Sequence, residues 1–176
     1  MKVDRRSALI AAAAGAMAAG GRPGAAAAQR GSDRDLLERL LAEERGLQSM
    51  YEAAARRGLL VPGVAELLRD HERQHAEGIE EALSGTGRAP VASVPSAELT
   101  RAVSRGTRAF LRYALRIESE AVAAYANAVT NLRDPDLLQP LGSIMASEGQ
   151  HLVVLRELLG ARPSTRAYET GRKAVE

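Results

Sequence analysis

The chain has 176 residues, of which 45% are hydrophobic and only 3% aromatic, and its abundant Ala and Leu are strong helix formers that predict an all-α domain rather than a β-rich one. The absence of cysteine excludes disulfides, thiolate metal sites and a cysteine nucleophile. The net charge is +2, and it becomes −1 once residues 1–28, with a net charge of +3, are set apart, so no electrostatic feature points to nucleic acid.

Residues 1–28 have the features of an export signal. Three basic residues precede an apolar run from Ala8 to Ala19, and Ala25 to Ala28 offer small-residue cleavage sites. The run is far shorter than the roughly 20 residues of a membrane-spanning helix. The six residues from Asp4 to Leu9 resemble a twin-arginine signal, with Ala8 where Phe is usual. We therefore expect a periplasmic or extracellular protein; the alternative is a disordered arm on a cytosolic one.

The predicted folded domain spans residues 29–160, and its first half holds two helices. The first is predicted from Asp33 to Arg57, with Ser32 as its N-cap. Pro62-Gly63 breaks the chain, and the second helix is predicted from Val64 to Leu83. In both segments apolar residues recur every three or four positions, which gives each helix one face to bury.

The second half is predicted to repeat this layout after a loop from Ser84 to Pro95. This loop contains two glycines and two prolines and would form a crossover between the halves. A third helix is expected to start after Ser96 and to reach about Asn131, and Gly106 would divide it into a short and a long part.

The last predicted helix follows Asp134, which can cap it, and Pro135, which suits a first helical position. Pro140 lies further in, so the regular helix is expected to begin only there. Gly160 ends it, and residues 161–176 are predicted to form a polar, mobile tail.

The two halves carry the same polar residues within their apolar stripes. In each half the first long helix has a Glu seven residues before a Tyr, and the following helix has a Glu three residues before a His. Such spacings of one or two turns put both members of a pair on one helix face. The pairs are Glu44 with Tyr51, Glu118 with Tyr125, Glu72 with His75, and Glu148 with His151.

Four carboxylates on apolar stripes predict bound cations. An ionised carboxylate buried without a partner costs several kcal/mol, and a domain of this size is stable by only about 5–15 kcal/mol. No Lys or Arg lies on these stripes, whereas two divalent ions would balance four negative charges. Glu and His together suit Fe, Mn or Zn better than Ca or Mg. Glu43 and Glu120 are neighbouring alternatives, and the shared distance to a Tyr favours Glu44 and Glu118.

This set of residues resembles the di-iron or di-manganese carboxylate site of ferritin-like bundles, and in particular the exported ferritin-like domain proteins of bacteria. The resemblance covers about residues 33–160. It implies an antiparallel four-helix bundle of two repeated helix pairs joined by a crossover loop. It also implies two metal ions, Fe or else Mn: one bound by Glu44 and His75, the other by Glu118 and His151, with Glu72 and Glu148 bridging.

The resemblance further implies what acts at the site. Tyr51 and Tyr125 would be hydrogen-bond partners of the ligands, although simple core packing explains them equally well. O₂ or peroxide would be the reaction partner, in Fe(II) oxidation or a related oxidase reaction, and the residues leave open whether the protein is an enzyme. Without cysteine there is no rubredoxin-like module. A homo-oligomer is compatible with the sequence.

Two other functions remain as alternatives. His71 completes a His-Glu-x-x-His motif, in which His71 and His75 would bind zinc and Glu72 would be the general base of a metalloprotease. That hypothesis leaves the second Glu-x-x-His pair unexplained; otherwise His71 is expected to be a partly exposed surface residue, because its counterpart in the second half is Ser147. The other alternative is a metal-free bundle with a structural or interaction role.

Overall fold

The structure, a computed structural model, describes residues 23–83, 96–164 and 167–171, with side chains described from Asp33 onward. These residues form five α-helices and one 3₁₀ turn, and no strand occurs among them. The helices are α1 (Pro23–Arg57), α2 (Val64–Leu83), α3 (Ala97–Ser104), α4 (Thr107–Asn131) and α5 (Leu138–Leu158). The all-α prediction is confirmed.

The four long helices pack as two hairpins. α1 packs against α2 and α4 against α5, and the hairpins meet where α1 contacts α4 and α2 contacts α5. The short helix α3 packs on α4 and α1. No helix in the described part of the chain is long and apolar enough to cross a membrane.

The first helix begins earlier than predicted. It runs from Pro23, so Ser32 lies inside it and is not its N-cap. The Ala-rich segment that was assigned to the signal has high helix propensity, and Pro23 suits a first helical position. Residues 1–22 of the predicted export signal lie outside the described residues, and the signal stays a prediction.

The predicted breaks between helices are found. α2 has the predicted bounds, and Gly63 before it has a φ of 85°, which favours glycine. Ser96 caps α3 by accepting a hydrogen bond from the Leu99 amide at 3.0 Å. Gly106, with a φ of 90°, separates α3 from α4 as predicted. The predicted crossover loop, residues 84–95, lies outside the described residues.

The start of α5 differs from prediction. Asp134 caps a 3₁₀ turn over Pro135–Leu137, and the regular helix begins at Leu138, two residues before Pro140. Pro140 is tolerated because an amide in the first turn has no carbonyl partner within the helix. After α5, Gly171 of the tail lies against α4, where its carbonyl accepts a hydrogen bond from Ser119 at 2.8 Å. The mobility of the tail stays a prediction.

Two apolar clusters fill the bundle on either side of a polar middle. On α1 one cluster contains Leu37, Leu40 and Leu41, and the other contains Leu47, Met50 and Ala54. Glu44 lies between them in the chain. The other long helices contribute to both clusters as well, so the carboxylates identified from the sequence lie midway along the bundle with packed side chains above and below.

Candidate metal centre

All six predicted ligands lie in the polar middle of the bundle. α1 contributes Glu44, α4 contributes Glu118, and α2 and α5 each contribute one Glu-x-x-His pair. The four glutamates have no exposed surface. The spacing of three residues places each histidine one turn above its glutamate, on the same helix face.

The six residues form two overlapping groups whose ligand atoms converge. Within each group, one ligand atom from every residue lies within 4.8 Å of all the others. The first group is Glu44, Glu72, His75 and Glu148, and the second is Glu72, Glu118, Glu148 and His151. Glu72 and Glu148 belong to both groups.

Each shared glutamate divides its two oxygens between the groups. His75 Nδ1 lies 2.8 Å from Glu148 Oε1 and 3.2 Å from Glu72 Oε2. His151 Nδ1 lies 3.0 Å from Glu72 Oε1 and 3.2 Å from Glu148 Oε2. This division is the geometry that a carboxylate needs to bridge two ions.

The remaining two glutamates each belong to one group. Glu44 Oε2 lies 3.4 Å from His75 Nδ1, and Glu118 Oε1 lies 3.5 Å from His151 Nδ1. Glu43 and Glu120 lie in neither group and are exposed. The site therefore contains the residues that the repeat favoured.

Many polar atoms of the site have no hydrogen-bond partner among the described residues. They are Glu44 Oε2, Glu72 Oε1, Glu118 Oε2, both carboxylate oxygens of Glu148, and His151 Nδ1. A buried polar atom without a partner costs about 1–3 kcal/mol. Oxygen and nitrogen lone pairs that converge without enough donors suit cations, so the donor set fits bound metal ions.

Both predicted tyrosines are hydrogen-bonded to the site and do more than fill the core. Tyr51 on α1 donates its hydroxyl hydrogen to Glu118 Oε1, and Tyr125 on α4 donates to Glu44 Oε1 at 2.5 Å. Each tyrosine holds one oxygen of its glutamate, and the other oxygen, Oε2, has no hydrogen-bond partner in the described structure. The tyrosines thus leave one oxygen of each glutamate available to an ion.

The ferritin-like domain family matches residues 32–161, which is well over half of the chain. The chain belongs to the ferritin-like family. The match covers α2, α4, α5 and the part of α1 from residue 32 onward, and it includes all six predicted ligands. Comparisons with curated proteins and with solved structures found no match.

In the centre of this ferritin-like protein, burial and the close approach of the carboxylates raise the pKa of several ionisable groups. Burial raises the pKa of Glu44 to about 8, with further contributions from Glu148 and Glu72 against the opposing effect of His75. Burial likewise raises the pKa of Glu118 well above its usual range. Burial alone would lower the pKa of His75, but the surrounding carboxylates outweigh it and raise it to about 11. A cation entering the site must displace these protons.

The remaining histidine, His71, also takes part in the site of the ferritin-like protein, although it belongs to neither group of ligand atoms. It is partly buried, as expected, but its Nδ1 lies 3.0 Å from Nε2 of His151. Sequence reasoning missed this contact because it joins α2 to α5. His71 and His75 share no group that could hold zinc within the described residues, so the structure does not favour the protease hypothesis.

Proposed function

We propose that this ferritin-like protein holds a carboxylate-bridged pair of metal ions, iron in the first place and manganese as the alternative, and uses them to oxidise Fe(II) or to reduce O₂ or peroxide. The observation that supports this most strongly is the division of the Glu72 and Glu148 oxygens between two histidine-containing groups. One ion would be held by Glu44 and His75, and the other by Glu118 and His151.

Charge balance supports two divalent ions. Four carboxylates face one another, and no Lys or Arg is close enough to form an ion pair with any of them in the described structure. Two divalent cations would neutralise four ionised carboxylates and would leave the histidines neutral, which is the form that binds metal.

The protein's own groups would control the chemistry of the site. Bound iron would supply electrons to O₂ or peroxide. Tyr51 and Tyr125 orient Glu118 and Glu44 by hydrogen bonds, and the apolar clusters above and below restrict the access of water. Protons displaced from the glutamates and histidines leave when the cations enter.

The test is metal analysis of the purified protein, prepared without chelators. We expect about two Fe or Mn per chain. In Glu148→Gln the shared carboxylate loses its charge and one of its two oxygens, so metal binding should be lost, whereas the control Glu120→Gln, on the exposed side of α4, should keep both ions. Consumption of O₂ or peroxide on addition of Fe(II) would then test the reaction.

Other outcomes would support the alternatives. One zinc ion per chain that survives Glu148→Gln and is lost in His71→Ala would support the metalloprotease. A protein that binds no Fe, Mn or Zn, and whose stability does not respond to these ions, would be a metal-free bundle.

Export through a twin-arginine pathway is part of the proposal. It rests on Arg5, Arg6 and the apolar run that follows them. Replacing both arginines by lysine should leave the protein inside the producing cell, and fractionation of wild type and variant would measure this. Equal export of both would contradict it.

A further inference from the structure

We propose that His71 is a positioning residue for His151: it accepts the hydrogen of His151 Nε2 and so keeps the Nδ1 lone pair of His151 directed at the metal centre. This inference rests on the proposed function, because it concerns how a ligand is prepared for its ion. It also makes the two metal positions of the repeat unequal.

The contact has the geometry of a hydrogen bond between imidazoles. Nδ1 of His71 and Nε2 of His151 are 3.0 Å apart, within hydrogen-bonding distance. The two ring planes differ by only 17°, with centroids 5.3 Å apart. The rings therefore meet nearly parallel, with one nitrogen of each facing the other.

The position of the hydrogen follows from the other side of the His151 ring. His151 Nδ1 lies 3.0 to 3.5 Å from Glu72, Glu148 and Glu118. A neutral imidazole carries one hydrogen, so a ring that binds metal through Nδ1 must carry it on Nε2. Nε2 faces His71 Nδ1, which must then be the acceptor. Metal-binding histidines are commonly oriented in this way by a partner at the other ring nitrogen.

The other metal position lacks this support. The residue that corresponds to His71 in the second half is Ser147, and the structure shows no hydrogen bond from His75 Nε2 to any described residue. The side chain of His75 is also more exposed, at 11% against 2% for His151. The position at Glu118 and His151 is therefore more enclosed, and its histidine has a hydrogen-bond partner at the outer ring nitrogen. The position at Glu44 and His75 is more exposed, and its histidine has no such partner among the described residues.

This asymmetry predicts stepwise metal binding. The position at Glu118 and His151 should bind its ion more tightly, because the hydrogen bond to His71 already orients the His151 ring with Nδ1 toward the site. Loss of an outer hydrogen-bond partner of a metal ligand commonly lowers metal affinity by about 10- to 100-fold. We expect that loss at one of the two positions when His71 is replaced.

Three variants distinguish the effect of losing the hydrogen bond from the effect of changing the side-chain volume. His71→Leu fills similar space without an acceptor, and His71→Asn carries a carbonyl oxygen that can accept where Nδ1 lies. Ser147→Ala is the matched control at the corresponding position of the other half. Calorimetric titration with Zn(II) should show two unequal sites in wild type, a 10- to 100-fold weaker tight site in His71→Leu, and near wild-type binding in His71→Asn and Ser147→Ala.

A second measurement reads the tautomer directly. ¹⁵N NMR of the histidine rings in the Zn(II)-loaded full chain should find the hydrogen of His151 on Nε2 in wild type. If it lies on Nδ1, the inference is wrong, whatever the stability of the variants. Two zinc ions bound with the same affinities in His71→Leu as in wild type would also overturn the inference and leave the proposed function intact. A wild type that binds no metal would overturn the proposed function, and with it the inference.

Discussion

Tyr125 of α4 donates its hydroxyl hydrogen to Glu44 of α1 at 2.5 Å, and neither side chain has any exposed surface. Tyr51 of α1 donates the corresponding hydrogen bond to Glu118 of α4. The glutamate and tyrosine that repeat at a spacing of seven residues therefore do not bind each other within a helix. They exchange partners, because α1 and α4 run antiparallel and each tyrosine lies opposite the glutamate of the other helix.

This exchange predicts the effect of removing one hydroxyl. Tyr125→Phe should lower the free energy of unfolding of the metal-free protein by about 1–3 kcal/mol, because it leaves a buried carboxyl oxygen without its donor. Tyr51→Phe should do the same. Tyr113→Phe is the control: its hydroxyl meets Ser96 in an exposed contact at 3.2 Å, and its loss should cost less than about 0.5 kcal/mol. Urea unfolding measures the free energy of unfolding of all three variants. A loss in Tyr113→Phe as large as in the other two would contradict the prediction.

Glu118→Gln should separate metal binding from stability. Because burial raises the pKa of Glu118 well above its usual range, it favours the neutral form of this carboxyl in the metal-free protein, and a neutral amide should replace it at a cost below about 1 kcal/mol. With metal present, wild type should gain about 2.7 kcal/mol at a concentration 100 times Kd, and the variant much less. Thermal unfolding with and without Mn(II) measures the difference. A variant that gains as much as wild type would show that Glu118 is not a ligand.

The metal-free protein should lose stability as the pH rises from 6.5 to 8. The pKa of Glu44 rises from 4.5 to about 8 on folding and that of His75 from 6.5 to about 11, so across this window the folded state binds more protons than the unfolded state. The free energy of unfolding then falls with increasing pH. Glu148, whose pKa is lowered by its contacts with His151 and His75 despite its burial, is ionised in both states here and adds no slope.

Bound metal should oppose this loss of stability. Ions replace the protons of the site, so their binding strengthens as the pH rises, and the difference in stability between metal-loaded and metal-free protein should widen from pH 6.5 to 8. Urea unfolding with a chelator and with Mn(II), at several pH values in this range, gives both curves. Parallel curves would show that the ions do not compete with protons at these residues.

Asp33 should stabilise the bundle from outside the metal centre. Its buried carboxylate accepts hydrogen bonds from the Asp134 amide at 2.9 Å and, more weakly, from the Arg133 amide, and so joins α1 to the turn before α5. Asp33→Ala should cost about 1–3 kcal/mol, and Asp33→Asn, which keeps an acceptor, should cost less. Asp35→Ala, at an exposed position of the same helix, is the control. Urea unfolding should rank the three variants in this order, and an equal effect of Asp35→Ala would contradict it.

The sequence predicted the parts of the fold that depend on local chemistry. The bounds of α2, the break at Gly106 and the grouping of Glu72, His75, Glu148 and His151 follow from helical periodicity and from where Gly and Pro interrupt it. Periodicity assigns each residue to a helix face, and the repeat then chose Glu44 over Glu43. These signals depend only on residues that are close together in the sequence.

The rest depended on how helices lie beside one another. The contact of His71 with His151 joins residues 80 positions apart, and no spacing within α2 indicates it. The crossed tyrosine contacts were missed for the same reason. The early start of α1 was not predicted for another reason: an Ala-rich segment satisfies the requirements of both a signal and a helix, and its composition does not distinguish them.

Each group of ligand atoms takes three residues from one half of the chain and one from the other, because Glu72 and Glu148 serve both groups. A protein with a single helix pair would therefore contain only part of either group. Two copies of it, related by a two-fold axis, would be needed to complete both groups. Assembly of such a dimer would depend on protein concentration. With both pairs in one polypeptide, the encounter becomes intramolecular, and the centre can form in a dilute solution of single chains.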